Sequence, residues 1–252
     1  MISFLKNFSS SIIAIVIWPI ALIVFLASAG IYLFAALFIS PKRLHRLARF
    51  LCRFILLGAG QIFKVEGEIP DSKHGPYLYL FNHQSLLDQF LIAGTVKEYV
   101  SAVGAVYQFS WPIWGRVIKR LGAIPIVREN LSKAIYSLTL AEDEIRKGTS
   151  FLLAPEGTRT LTGKMGEFKK GPFHLALNTG ITIIPMGLKG AFDSKQKNDW
   201  RIYPGMVTVR IGKPVKKEFY QKMSIEELRD DIRNKISVLC EDDLIVALDI
   251  QQ

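Results

Sequence analysis

The stretch YLYLFNHQSLLDQFLIAG (residues 77–94) joins two apolar runs across a polar loop, and places His83 and Asp88 at that junction. The run 76–82 (PYLYLFN) reads as a strand and 86–94 as a helix, with the chain turning between them. Further strand-like runs appear on both sides: IFKVEG (62–67), EYVSAV (98–103), AIPIVR (123–128), SFLLAP (150–155), TIIPMGL (182–188) and VTVRIG (207–212). Between them, Leu131, Ala134, Ile135, Leu138 and Ile145 recur at helical spacing and Gly148 ends the pattern. A later helix starts at Ser224, with Glu227 completing a capping box, and extends to about residue 242. Strand and helix in alternation predict an α/β fold, a mixed, mainly parallel sheet flanked by helices. In such a sheet, functional side chains are expected in loops just past the strand C-termini.

The N-terminal sixty residues differ in character. No charge lies between Lys6 and Lys42, and 11–39 is almost wholly apolar. About 20 helical residues cross a hydrocarbon core of roughly 30 Å, so this segment is long enough to be membrane-embedded. With Pro19 and Gly30 inside it, one kinked span and a re-entrant pair of short helices both fit. Ala27-Ser28-Ala29 imitates a signal-peptide cleavage site, but apolar sequence continues for ten residues beyond it. Lys42, Arg43, Arg46, Arg49 and Arg53 follow, with no acid before Glu66. Positive flanks stay cytoplasmic, so the body is expected on the cytoplasmic face, of the inner membrane in a bacterium. The segment 47–63 reads as an amphipathic helix lying at the interface. The expected division is an anchor over 1–60 and a catalytic domain over 61–252.

The net charge of +10 is read as facing a membrane surface or phosphate, because no zinc-finger spacing or single-strand stacking platform accompanies it. No nucleic-acid partner is expected. Phe109, Trp111 and Trp114 beside Arg116, Lys119 and Arg120 suit an interfacial aromatic–basic patch or, equally, a core aromatic cluster with a solvated basic face. Cys52 and Cys240 form no disulfide framework and suit a reducing compartment.

His83 and Asp88 are five residues apart, which on one α-helix would put them on different faces. They meet only if His83 lies in the strand-to-helix loop and Asp88 in the first helical turn. Asp88 then accepts a hydrogen bond from Nδ1 and leaves Nε2 free as a base. Asn82 and Ser85 are placed to satisfy loop amides or cap the helix. The same residues also suit a purely structural arrangement, a histidine ending a strand and an aspartate favoured by a helix N-terminus. No second histidine lies at a metal-binding spacing, so no metal is expected. Ser85 lacks the G-x-S-x-G elbow of a hydrolase nucleophile.

A second polar stretch, LLAPEGTRTLTGKMGEFKKGPF (152–173), follows another apolar run. Gly157 permits close approach of backbone amides to a ligand, Arg159 offers a planar fork for phosphate, and Lys169 and Lys170 add point charges. Gly157…Gly163-Lys164 is not a P-loop, since five residues intervene and Met165 stands where Ser or Thr is required. Arg128 ends the run 121–128, and Pro185 is expected to interrupt a strand and shape a pocket wall.

These four places resemble, in order, the blocks of the glycerolipid acyltransferase family: Asn82-His83-Gln84-Ser85-x-x-Asp88, Gly122-x-Ile124-x-Ile126-x-Arg128, Pro155-Glu156-Gly157-Thr158-Arg159 and Ile184-Pro185. FKKG (168–171) is similar to that family too, and the resemblance covers roughly 75–190. Among its members, those acting on 1-acyl-glycerol-3-phosphate look most similar. The resemblance implies acyl transfer from acyl-CoA or acyl carrier protein, as co-substrate and with no cofactor, to the sn-2 hydroxyl of a lysophospholipid acceptor, giving phosphatidate. It implies His83 as general base and Asp88 as its orienter. Arg128, Glu156, Gly157, Thr158, Arg159 and Lys169 would form the acceptor site. Pro125, Val127 and Ala154 depart from the commoner Phe, Asp and Phe of the blocks, which leaves other acceptors open, glycerol-3-phosphate or another lysophospholipid. A non-catalytic lipid-binding protein of the same fold is the alternative of a different class.

Overall fold

The computed structural model describes the backbone of residues 2–241 and the side-chain surroundings of 8–241. Helices α1 (Ile2–Ala35) and α2 (His45–Gly58) precede β1 (Gln61–Glu66), β2 (Tyr77–Phe81), α3 (Asp88–Thr95), β3 (Val100–Ala105), α4 (Trp114–Arg120), β4 (Ile124–Ile126), α5 (Leu131–Arg146) and β5 (Ser150–Leu153). Then come α6 (Gly171–Thr179), β6 (Thr182–Lys189), α7 (Ala191–Ser194), β7 (Gly205–Ile211), α8 (Lys217–Tyr220) and α9 (Ile225–Cys240). The described strands form one sheet in the order β1-β7-β6-β2-β5-β3-β4. All neighbours are parallel except β6 and β7.

β2 lies at the centre of this sheet, and every one of its residues is buried. Side chains on a strand alternate between faces, so its residues divide between two cores. Tyr77, Tyr79 and Phe81 pack with Ile55 and Leu56 of α2 and Leu91 of α3. Leu78 and Leu80 pack with Ile145 of α5, Phe173 of α6 and Ile232 of α9. An unbroken apolar run is what a central strand covered by helices on both sides requires.

α1 is one continuous helix through Pro19 and Gly30 rather than a re-entrant pair. Its stretch Phe8–Ala35 is long and apolar enough to cross a membrane. It packs on α2 so closely that a Cβ on Gly58 would come within 2.9 Å of Val24. α2 ends at Gly58, not at 63, because Gly60 adopts a left-handed conformation (φ +71°) and the chain enters β1. The amphipathic reading of α2 survives in an altered form: Leu51, Ile55 and Leu56 are buried, while Phe50, Phe54 and Leu57 are exposed.

Pro185 does not interrupt β6. It pairs with Leu80 of β2, and its carbonyl accepts from Gly212 N at 2.9 Å. Its missing N–H falls between the Ile183–Val215 bridge and the Met186–Ile211 pair, where β6 changes neighbours. The Ser224 capping box is present, with Glu227 bonded back to the Ser224 amide. The aromatic–basic patch splits: Trp114 packs at a tilt on Phe25 and Phe90 and Phe109 is buried, whereas Trp111 is exposed.

Candidate active site

The loop from β2 to α3 is held from three directions. Asn82 neither caps α3 nor serves the loop. Its amide clamps β6, donating to Leu188 O at 3.1 Å and accepting from Leu188 N at 2.7 Å. His83 N donates to Glu156 Oε1 at 2.6 Å, and His83 O accepts from Thr160 N at 2.9 Å. Ser85 Oγ accepts from Leu87 N and donates to Lys195 O, and it lies 3.1 Å from Ser194 Oγ.

Asp88 opens α3 and is fully buried. Its Oδ2 accepts from His83 Nδ1 at 2.8 Å, Gln84 N at 2.7 Å and Ser85 N at 2.9 Å. The five-residue spacing therefore does bring imidazole and carboxylate together, with His83 in the loop and Asp88 in the first turn. An ionised carboxylate only accepts, so Nδ1 carries the hydrogen, and in the neutral ring Nε2 then has the lone pair. The imidazole is 22% exposed, enough to be reached.

His83 lines a cavity of about 320 Å³ that opens at the C-terminal ends of the central strands. One part of its wall is apolar: Trp18 and Phe25 of α1, Phe90 of α3, Trp111 and Trp114. The other part is cationic: Arg128, Arg159, Lys195 and Lys197, with Thr158 beside them. A second, apolar cavity of about 140 Å³ lies between α1, α2, α3 and β3, and shares Phe25, Ile55, Gln89, Phe90 and Trp114 with the first.

Of the residues expected at an acceptor site, Arg128, Thr158 and Arg159 line this cavity and Glu156, Gly157 and Lys169 do not. Glu156 is buried with its carboxylate consumed by the main chain, Oε1 by His83 N and Oε2 by Gly166 N at 2.7 Å. Burial raises its pKa, and the two amide bonds oppose that rise. Gly157 takes φ +72° to close a tight turn, its N–H donating to Ala154 O at 3.0 Å. Lys169 staples the same turn through its main chain, donating to Pro155 O at 2.8 Å, while its side chain is exposed. Lys170 is paired with Glu226 at 2.5 Å. Pro125, Val127 and Ala154 do not line the cavity either, so those departures do not reshape its wall.

Residues 62–189 match the family described as Acyltransferase. The chain belongs to the Acyltransferase family. Within that family it is 31% identical over 214 residues to the 1-acyl-sn-glycerol-3-phosphate acyltransferase of Pseudomonas aeruginosa, covering 80% of this chain and 81% of that protein. It is 34% identical over 149 residues to the enzyme of that name from Cocos nucifera, covering 59% of this chain. The chain spans about half the length of that plant relative, 48%. The crystal structure of the 1-acyl-sn-glycerophosphate (LPA) acyltransferase of Thermotoga maritima shares the fold, with a TM-score of 0.79, 24% identity, and coverage of 92% of this chain and 94% of the other.

Two cations of this cavity carry no motif in the sequence. Lys195 and Lys197 sit in the connection from β6 to β7. The available signal was their position shortly after a strand parallel to β2, the same sheet edge that presents His83. Trp18 gave no signal, being one aromatic within an apolar run.

Proposed function

We propose that this chain transfers a fatty acyl group from an acyl thioester to the sn-2 hydroxyl of 1-acyl-glycerol-3-phosphate. The observation that carries the reading is the single cavity that brings together an oriented imidazole, a cationic wall and an apolar wall. An alcohol is a weak nucleophile at neutral pH, and a positioned base contributes about 10²–10⁴-fold. His83 Nε2 takes the hydroxyl proton as the oxygen attacks the thioester carbonyl carbon. The tetrahedral adduct collapses, the C–S bond breaks, and the imidazolium returns its proton to the leaving thiolate. Asp88 holds the ring's orientation and offsets the transient positive charge.

Arg128 and Arg159 bind the acceptor phosphate, Arg159 as a planar fork. Thr158 presents its hydroxyl to the same site. Glu156 and Gly157 act one step back, by fixing the loop that carries His83 and the turn that carries Arg159. The apolar cavity behind Phe25 and Phe90 receives an acyl chain. With α1 in the bilayer and Lys42, Arg43 and Arg46 at its cytoplasmic boundary, the acceptor arrives by lateral diffusion.

The test is a panel of acceptors, lysophosphatidate, glycerol-3-phosphate and other lysophospholipids, each offered with one labelled acyl-CoA. Preference for lysophosphatidate is the expected result. Equal or better use of another acceptor overturns the assignment.

A further inference from the structure

Among the described residues, four cations line the cavity around His83 and no acid does. Two of the four, Lys195 and Lys197, belong to none of the sequence blocks. Lys195 is only 7% exposed. Its ammonium donates to Gln196 O at 2.9 Å and to Asp199 O, which leaves one of its three N–H donors free. The Asp199 carboxylate is shared with Arg201 and Tyr203, so its charge offsets that of Lys195 only in part. Lys197 Nζ reaches Thr158 Oγ1 at 3.0 Å and retains two donors. Arg159 Nη1 is buried with no hydrogen-bond partner among the described residues. Burial and then the nearby Arg159 charge hold the Lys195 pKa below its ordinary value, the mark of two like charges crowded in a poorly hydrated place.

Buried donors and like charges left uncompensated are costly until an anion completes them. We propose that Lys195 and Lys197, together with Arg159, form a subsite for a dianionic phosphomonoester, and that these lysines select acceptors with a terminal phosphate over lysophospholipids whose phosphate is a diester. The identity of the ligand rests on the acyl-transfer reading above. A phosphomonoester carries about −1.5 to −2 charges at pH 7 and three acceptor oxygens. A diester carries one charge and two free oxygens, so it leaves a donor and a charge unmatched. The subsite is also tied to the base: Ser85, two residues past His83, donates to the Lys195 carbonyl at 3.3 Å.

The experiment compares the full-length wild type with Lys195→Met and Lys197→Met, all in detergent. Glycerol-3-phosphate binding is measured by calorimetry, and acylation of lysophosphatidate and lysophosphatidylethanolamine is followed with one acyl-CoA. Loss of a charge-assisted bond predicts glycerol-3-phosphate binding weakened, and KM for lysophosphatidate raised, about ten- to a hundredfold at Lys195. KM rises more than kcat falls, and KM for the diester acceptor moves by less than about threefold. Lys197 is exposed, so a smaller effect of the same kind in Lys197→Met cannot come from misfolding. Unchanged binding and KM in both variants, equal rises for both acceptors, or a rise confined to acyl-CoA would each overturn the proposal. Lysine-dependent glycerol-3-phosphate binding by a wild type that acylates neither lipid would instead retain the subsite and remove the acyl-transfer reading.

Discussion

Glu156 grips His83 by its backbone, Oε1 accepting from His83 N at 2.6 Å, while its second oxygen holds Gly166 N. The carboxylate thus joins the loop after β2 to the loop after β5 without facing the cavity. Glu156→Gln keeps one acceptor and presents an NH₂ to the other amide, costing about 1–3 kcal/mol of stability. The expected kinetic signature is a fall in kcat with little change in KM for the acceptor. A rise in KM alone would return Glu156 to the binding wall.

The same residue shapes the acid stability profile. Burial raises the Glu156 pKa above its ordinary 4.5. The folded protein then binds more protons than the unfolded chain between those two values, so the contribution is fully present below 4.5 and is lost as pH rises through the folded pKa. Melting temperature measured against pH should show this decline in the wild type and lack it in Glu156→Gln. Identical profiles would contradict the assignment.

Asp88→Asn tests the orienting bond. The amide can offer hydrogens to Nδ1, which favours the tautomer with the proton on Nε2 and removes the free base. A fall in kcat of about 10²–10⁴ is expected, with acceptor binding retained. Turnover near the wild-type rate would show that the imidazole needs no steering.

Chain-length preference should respond to the second cavity. Ala29 of α1 lines it and is buried. Ala29→Leu fills part of its volume, and competition between acyl-CoAs of different length should shift toward shorter chains. An unchanged length profile would place the chain elsewhere.

Phe50, Phe54 and Leu57 form an exposed apolar face of α2, and Phe34 of α1 and Phe38 just after it are exposed too. Each large apolar side chain stabilises its burial by about 1.5–3 kcal/mol. With α1 holding the protein in the bilayer, a fluorophore on α2 should be quenched by lipid-borne quenchers, and replacing all three α2 residues by Ser should weaken that quenching while leaving detergent-phase turnover intact. Undiminished quenching would remove these side chains from the membrane contact.

Much of this arrangement was legible because its signals are local. All seven strands announce themselves as short apolar runs bounded by polar or glycine residues, and the pair His83–Asp88 follows from one strand ending and one helix starting. The short helices α4 and α6 were not legible: WGRVIKR (114–120) reads as a basic patch, and Pro172 obscures the start of 171–179. The antiparallel setting of β7 has no local signature, since direction is decided by which neighbour β6 leaves exposed after Met186. The backbone contacts of Glu156 and the cavity position of Lys195 are not legible in the sequence, for one reason. A charge in a loop does not reveal whether it points to a ligand or to a backbone amide brought in from seventy-three residues away.

The most direct test of the account is a single-turnover assay of His83→Ala with lysophosphatidate and acyl-CoA, run beside a binding measurement on the same preparation. The account predicts a loss of phosphatidate formation of at least about 10²-fold with acceptor affinity unchanged. Product formed at the wild-type rate would contradict it.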